Sequence, residues 1–161
     1  LQITKALGAN VIITSSSDDK LARAADLGAD ATINYKDNPD WGKQAFEAAG
    51  AGVNLVIEIG GGGTFNQSME ALTIGGHISI IGALSGVATE LNLLSMVFKN
   101  VHTHGITVGT REDHEAMNKF FSKHQIHPII DKEVSFEEGA EAIIGIASGN
   151  HFGKIVVNIN N

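Results

Sequence analysis

The sequence contains no cysteine and only two prolines among its 161 residues. Without cysteine, the chain can form neither a disulfide framework nor a thiolate zinc site. Basic residues are also few: 11 lysines and arginines stand against 18 aspartates and glutamates, for a formal net charge of −7. With no basic stripe, we expect no nucleic acid and no anionic membrane as partner. We expect no bilayer span or secretion signal, because no long apolar run or charged leader is present.

The remaining composition is that of a globular chain with enough apolar mass for a core. Hydrophobic residues make up 43% of the sequence and charged residues 18%, a balance that excludes a disordered chain. Glycine is abundant, at 19 residues. High glycine with low proline suits a fold with many short strand-to-helix turns, and the length is about that of one domain.

Short apolar strands alternate with amphipathic helices along the chain. The pattern predicts strands at Asn10–Ser15, Ala31–Tyr35, Val53–Ile59, His77–Ile81 and Val101–Val108, with helices at 18–27, 41–49, 64–72, 91–99 and 111–123. A further helix at 136–147 and a strand at 154–159 follow. This alternation predicts an α/β fold with a doubly wound parallel sheet. Because the strands are nearly all apolar, we expect helices on both faces of the sheet.

Ligands of such sheets bind at the carboxyl ends of the strands. A fold that selects NAD places an acid at the end of its second strand, for the ribose 2′-hydroxyl. Here that position holds Ser15 and Ser16, with Lys20 one turn into the next helix and Tyr35 after the neighbouring strand. Small hydroxyls and a cation suit a 2′-phosphate. Alternatively, Lys20 is a solvated helix lysine and Tyr35 a half-buried edge tyrosine.

Two acidic residues follow these serines and favour NAD over a ligand with a 2′-phosphate. Asp18 and Asp19 are interpreted as first-turn partners of the helix dipole on the solvent side. The glycines that end two other strands, at Gly60 and Gly82, either let a ligand approach the backbone or form ordinary tight turns.

Several segments together resemble the medium-chain dehydrogenase/reductase superfamily, with its zinc-type alcohol dehydrogenase and NADPH:quinone reductase branches closest. They are ALGANVIITSSSDDKLARAADLGADATINY, NLVIEIGGGGTFNQSMEAL, GGHISIIGALSG and HFGKIVV, and they occur in the family's order over essentially the whole chain. The resemblance implies a nicotinamide-dependent oxidoreductase with a Rossmann-type fold that prefers NADP. Any zinc ligands would lie outside this chain.

The resemblance also implies roles for individual residues. Ser15, Ser16, Lys20 and Tyr35 would hold the adenosine 2′-phosphate. Ile59 and Gly60 would lie along the ribose side. The residues near the nicotinamide would be Gly82, Ala83, Leu84, Ile106 and Val108.

The family's first strand and its Gly-rich phosphate loop have no counterpart here. The run Gly60–Gly63 is not that loop, because Asn66 stands where the last glycine of G-x-G-x-x-G belongs. We therefore expect the C-terminal portion of a longer enzyme. Residues 1–125 would be a partial dinucleotide-binding domain, and residues 126–161 a tail that returns to the catalytic domain. The gap left by the central strand is predicted to close by direct rejoining of strands or by a segment of another copy.

Other side-chain patterns carry less chemistry. His102 and His104 share one strand face, and His124 and His127 flank a turn, but neither pair has the further ligands of a metal site. Glu58 is interpreted as a paired buried acid rather than a cofactor contact. Ser79 and Ser85 lack a His and Asp pattern, so no catalytic residue is assigned.

Two interpretations from other classes stay open. The first is a nucleotide-binding module without chemistry. The second is a doubly wound methyltransferase, which Ser15 and Ser16 disfavour because that class carries an acid after its second strand. For the oxidoreductase we expect a small-molecule substrate (alcohol, aldehyde, ketone or quinone), a cytoplasmic location, and a homodimer or larger assembly formed at the edge strand Val101–Val108.

Overall fold

A computed structural model of the chain describes residues 1–159 and divides them into two compact units. The first unit is Leu1–Arg111, and the second begins at Glu112. This division lies before residue 125. The assignment of residues 126–161 to a catalytic domain stays a prediction.

Helices and strands alternate in the first unit nearly as the sequence pattern predicts. In chain order they are α1 (Gln2–Ala6), β1 (Ile12–Ser15), α2 (Asp18–Asp26), β2 (Ala31–Asn34), α3 (Trp41–Ala48), β3 (Val53–Glu58), α4 (Phe65–Ala71), β4 (Leu72–Ile80), α5 (Leu93–Lys99) and β5 (His102–Gly105). The second unit contains most of α6 (Arg111–His124), then β6 (Ile130–Ser135), α7 (Gly139–Ile146) and β7 (Lys154–Asn158). Within residues 1–159 no helix combines the length and apolarity needed to cross a membrane.

Every strand pair is parallel, which confirms the predicted α/β class. β1 pairs with β2, β4 lies between β3 and β5, and β6 pairs with β7. The strand β4 starts earlier than predicted, at Leu72, but its register breaks before His77, which pairs with Leu55. Gly75, at φ +75°, lies within this irregular stretch. The regular part of β4 therefore begins where the sequence places it.

The predicted direct rejoining of strands across the gap is wrong. Over residues 1–111, β1–β2 and β3–β4–β5 form two separate sheets with no strand pairing between them. They are joined through helix α3 instead: its Ala45 packs with Ile33 of β2 and Ala71 of α4 in one buried cluster. The two sheets are therefore connected by apolar side-chain packing rather than by strand hydrogen bonds.

The larger core covers only one face of the three-stranded sheet. Phe65 and Met69 of α4 pack on Leu72 and Ile78 of β4, with Val56 of β3 against them. Side chains of a strand alternate between faces. On the opposite face, Leu55, Ile57 and Ile59 are each more than half exposed. The expectation that helices cover both faces therefore fails for this sheet within the described residues.

Candidate functional site

The carboxyl ends of β1 and β2 bring the predicted phosphate-binding residues together. The register pairs Ser15 with Asn34, and the Tyr35 backbone N–H donates to the Ser15 carbonyl oxygen at 3.1 Å. The Ser15 hydroxyl accepts from the Ser17 N–H at 3.3 Å, and the Ser17 hydroxyl accepts from the Lys20 N–H at 3.4 Å. Ser17 is thus the N-cap of α2. Ser15 and Tyr35 therefore meet at one sheet end, with Ser16 next along the chain and Lys20 in the first turn of α2.

Asn34, a residue that the sequence reasoning did not select, ties this end of β2 to α2. Its side-chain amide donates to Asp18 Oδ1 at 2.8 Å, and its side-chain oxygen accepts from the Lys36 N–H at 3.1 Å. Asp18 is exposed and lies in the first turn of α2, as predicted. Its carboxylate is nevertheless held beside the predicted phosphate site rather than directed only to solvent. The signal that could have found this contact is the parallel pairing of the two strand ends.

The second group of predicted residues gathers at the carboxyl end of β3–β4–β5. The Gly82 N–H donates to the Glu58 carbonyl oxygen at 3.3 Å, and the Leu84 N–H to that of Ile59 at 3.1 Å. On the other side, the Ile106 N–H donates to the Ile80 carbonyl oxygen at 2.9 Å. This end therefore carries the group Ile59, Gly60, Gly82, Ala83, Leu84 and Ile106. Val108 follows three residues after β5 ends.

Apolar side chains of this group are strongly exposed. Leu84 and Val108 are each 85% exposed, and Ile59 and Ile106 are about half exposed. Exposed apolar side chains clustered beside open backbone are typical of a surface that a ligand or another protein segment covers.

The glycine run after β3 is a platform for the loop after β4, not a phosphate loop. A Cβ on Gly61, whose φ is +78°, would lie 2.5 Å from the Gly86 carbonyl oxygen. A Cβ on Gly62 would lie 2.2 Å from that of Ala88. Because any larger residue would collide with this loop, the glycines are explained by close packing of backbone on backbone.

Glu58 organises the turn that contains this run. Its side chain is 3% exposed and accepts from the backbone N–H groups of Gly60 and Gly61 and from the hydroxyls of Thr64 and Ser68. Burial by itself raises the pKa of Glu58, but these four hydrogen bonds outweigh it and hold the pKa below its ordinary value. The carboxyl group is therefore ionised at neutral pH. Glu58 is thus buried and hydrogen-bonded, and its interpretation as a structural acid rather than a cofactor contact stays a prediction.

The histidines show no metal geometry. The His77 ring stacks on those of His102 and His104 with centroids 4.6 and 5.8 Å apart and nearly parallel planes, so the ring nitrogens do not converge. His124 stacks on Phe120. Over the described part of the chain, no three His, Cys, Asp or Glu side chains are placed to hold a metal ion.

The Ser85 hydroxyl donates to the Gly60 carbonyl oxygen at 2.7 Å, a structural contact.

The sequence of the first unit matches a known family. Residues 1–123 match the family model described as zinc-binding dehydrogenase. The chain belongs to this family of medium-chain oxidoreductases. A zinc-type alcohol dehydrogenase-like protein of Schizosaccharomyces pombe is 40% identical, with 99% of this chain and 48% of that protein covered. The sequence-based assignment to the superfamily and to its Rossmann-type fold is thereby confirmed.

Solved structures agree on the fold and differ in their cofactor. An NAD-dependent alcohol dehydrogenase superposes with a TM-score of 0.90 at 32% identity, covering 99% of this chain and 46% of that one. The reductase CinF, solved with NADP and 2-octenoyl-CoA, gives 0.89 at 25% identity, covering 97% and 39%. This chain spans about half the length of the curated relatives that it matches.

Proposed function

We propose that this chain supplies most of the cofactor-binding domain of an NADP-dependent oxidoreductase of the alcohol dehydrogenase/quinone reductase type. The observation that carries the preference for NADP is the junction of Ser15 and Tyr35, with Lys20 one turn into α2. Hydroxyl groups and a cation suit the three acceptor oxygens of a 2′-phosphate. No acid occupies the last position of β1, where an NAD-selective fold carries one.

The other end of the cofactor belongs to the three-stranded sheet. Ile59 and Gly60 would lie along its ribose, and the nicotinamide would face Gly82, Ala83, Leu84, Ile106 and Val108. The exposed apolar side chains of Leu84 and Val108 fit the flat face of that ring. The bound cofactor supplies the hydride chemistry. This chain would bind and orient it, contribute no general acid or base, and be inactive alone.

The wider setting of the enzyme is also proposed from the family. The substrate would be a small alcohol, aldehyde, ketone or quinone, and any zinc ligands would lie outside this chain. The protein would be cytoplasmic and would form a homodimer or larger assembly at the outer edge of β5, the last strand of its sheet.

An NAD-dependent enzyme is the second candidate, and one contact favours it. Asp18 is held by Asn34 beside the phosphate site, where a carboxylate suits a free ribose hydroxyl better than a phosphate. A nucleotide-binding module without chemistry is the third candidate, because it would use the same strand ends.

A calorimetric titration with 2′,5′-ADP and 5′-AMP separates these candidates. We expect 2′,5′-ADP to bind at least tenfold more tightly, since a cation hydrogen-bonded to a phosphate contributes about 1.5–3 kcal/mol. Lys20→Ala should then lower the affinity for 2′,5′-ADP about tenfold and leave that for 5′-AMP unchanged.

The matched control is Lys43→Ala, which removes the same charge from α3, where the lysine is 77% exposed. It should change neither affinity. Equal binding of the two nucleotides would discard the preference for NADP, and binding of neither would contradict the proposed cofactor site. The module without chemistry is tested in the full-length protein, as NADPH oxidation with quinone and aldehyde substrates.

A further inference from the structure

The buried carboxylate at the end of β3 receives four hydrogen bonds. Glu58 Oε1 accepts from the Gly60 N–H at 2.7 Å, the Gly61 N–H at 3.0 Å and the Thr64 hydroxyl at 2.6 Å. Oε2 accepts from the Ser68 hydroxyl. All four donors come from the ten residues that follow Glu58. One side chain therefore fixes the whole segment between β3 and the middle of α4.

The loop after β4 is in turn hydrogen-bonded to this fixed segment. The Ser85 N–H and hydroxyl both donate to the Gly60 carbonyl oxygen at 2.7 Å, and the Gly62 N–H donates to that of Gly86 at 2.7 Å. With the bond from Leu84 to Ile59, the two turns are joined along their length. The positions of Ala83 and Leu84 thus depend on the segment that Glu58 holds.

We propose that Glu58 is a positioning residue for the nicotinamide end of the cofactor: its carboxylate fixes the turn at 60–64, which places the loop at 82–86 beside the ring. The inference rests on the proposed function, because that function puts the nicotinamide at this loop. Glu58 itself touches neither cofactor nor substrate in this arrangement. The adenosine end lies on the other sheet, where Ser15 ends β1 and Tyr35 follows β2.

A conservative pair of variants tests the proposal without emptying the core. Glu58→Gln keeps one acceptor oxygen but removes the charge, and Thr64→Val is isosteric and removes a single donor to Oε1. Either change weakens a network that a carboxylate satisfies best, because an ionised acceptor makes the stronger hydrogen bonds. The matched control is Glu70→Gln, which neutralises an exposed carboxylate of α4, the helix that Glu58 contacts through Ser68.

The affinities for two ligands, NADPH and 2′,5′-ADP, report on the two ends of the site. We expect Glu58→Gln and Thr64→Val each to lower the affinity for NADPH at least fivefold and to reduce the nicotinamide fluorescence enhancement. The affinity for 2′,5′-ADP should stay within twofold of wild type. Glu70→Gln should match wild type with both ligands. If Glu58→Gln does not fold, as judged by circular dichroism, Thr64→Val carries the test.

Four other outcomes contradict the positioning role or the proposed function. Unchanged NADPH affinity and fluorescence in a folded variant overturn the positioning role. Equal losses for NADPH and 2′,5′-ADP, together with a lower melting temperature, reduce Glu58 to a general structural residue and also overturn it. If the wild-type chain binds 2′,5′-ADP but NADPH shows no nicotinamide signal, the proposed placement of the ring is wrong. If it binds neither ligand, the proposed function itself fails.

Discussion

At the scale of single residues, the strand ends can be predicted from the sequence, but the side-chain contacts beside them cannot. Ser15 and Tyr35 are recognisable because each follows an apolar run, and their junction follows from parallel pairing. The sequence does not identify Asn34 as a site residue, because its contact with Asp18 depends on the register of β1 and β2, which no local pattern fixes. The sequence therefore predicts only the position of Asp18 at the helix dipole and not its contact with Asn34.

The substitution Asp18→Asn tests what that carboxylate does to phosphate binding. It removes the negative charge that Asn34 holds at the carboxyl end of β2, without changing the shape of the side chain. We expect the affinity for 2′,5′-ADP to rise about fivefold, since two like charges about 4 Å apart in water repel by about 1 kcal/mol. Calorimetric titration at low ionic strength measures it.

The matched control for this change is Asp19→Asn. Asp19 occupies the same first turn of α2 and interacts equally with the helix dipole, but the contact with Asn34 belongs to Asp18. It should alter binding by less than twofold. A fall in 5′-AMP affinity with Asp18→Asn would instead show that the carboxylate holds the free ribose 2′-hydroxyl, as in an NAD site.

At the scale of helices and strands, local signals predicted the order of elements, and distant contacts set what stabilises them. Ser17 caps α2 as its sequence position indicates. The end of α4 is different: it is held by Lys99, whose ammonium group donates to the carbonyl oxygens of Met69, Glu70 and Leu72 at 2.9–3.1 Å. No cap is visible at Ala71 in the sequence, because the capping group lies about thirty residues away.

Replacing Lys99 with methionine should therefore lower the free energy of unfolding. The change keeps the apolar stem but leaves the last carbonyl groups of α4 without their cation, and we expect a loss of about 2 kcal/mol. Urea unfolding followed by circular dichroism measures it. Lys43→Met is the control: its contact with Glu47 is exposed and 4.0 Å long, so its effect should stay within about 0.5 kcal/mol. Equal effects of the two variants would show that the carbonyl contacts contribute nothing specific.

At the scale of the whole molecule, the sequence predicts the parallel sheets but not how they are joined. Periodicity and the glycine turns identify each strand, whereas the neighbour of β3 depends on residues far apart in the chain. The structure joins the two sheets of the first unit through α3, where the Gly42 N–H donates to Gln67 Oε1 at 2.8 Å. Closure of the gap by a segment of another copy stays a prediction.

Gly42 is a position in the contact between α3 and α4 that leaves no room for a larger side chain. A Cβ there would lie 2.2 Å from the Gln67 carbonyl oxygen and 2.9 Å from Glu70 Cβ, so that α3 and α4 would have to separate. We expect Gly42→Ala to lower the free energy of unfolding by about 2 kcal/mol, within the usual range for overpacking. Hydrogen exchange should show β1 and β2 losing protection before β3–β5, because the joint opens first.

The control for this last prediction is a second helical glycine with open space around it. A Cβ on Gly145 in α7 would meet no neighbouring atom within 4 Å, so Gly145→Ala should stabilise the chain by about 0.5–1 kcal/mol. Opposite signs for the two variants would separate the steric contact from helix propensity, which favours alanine at both sites. If Gly42→Ala is also stabilising, the α3–α4 contact yields without cost and does not hold the two sheets together.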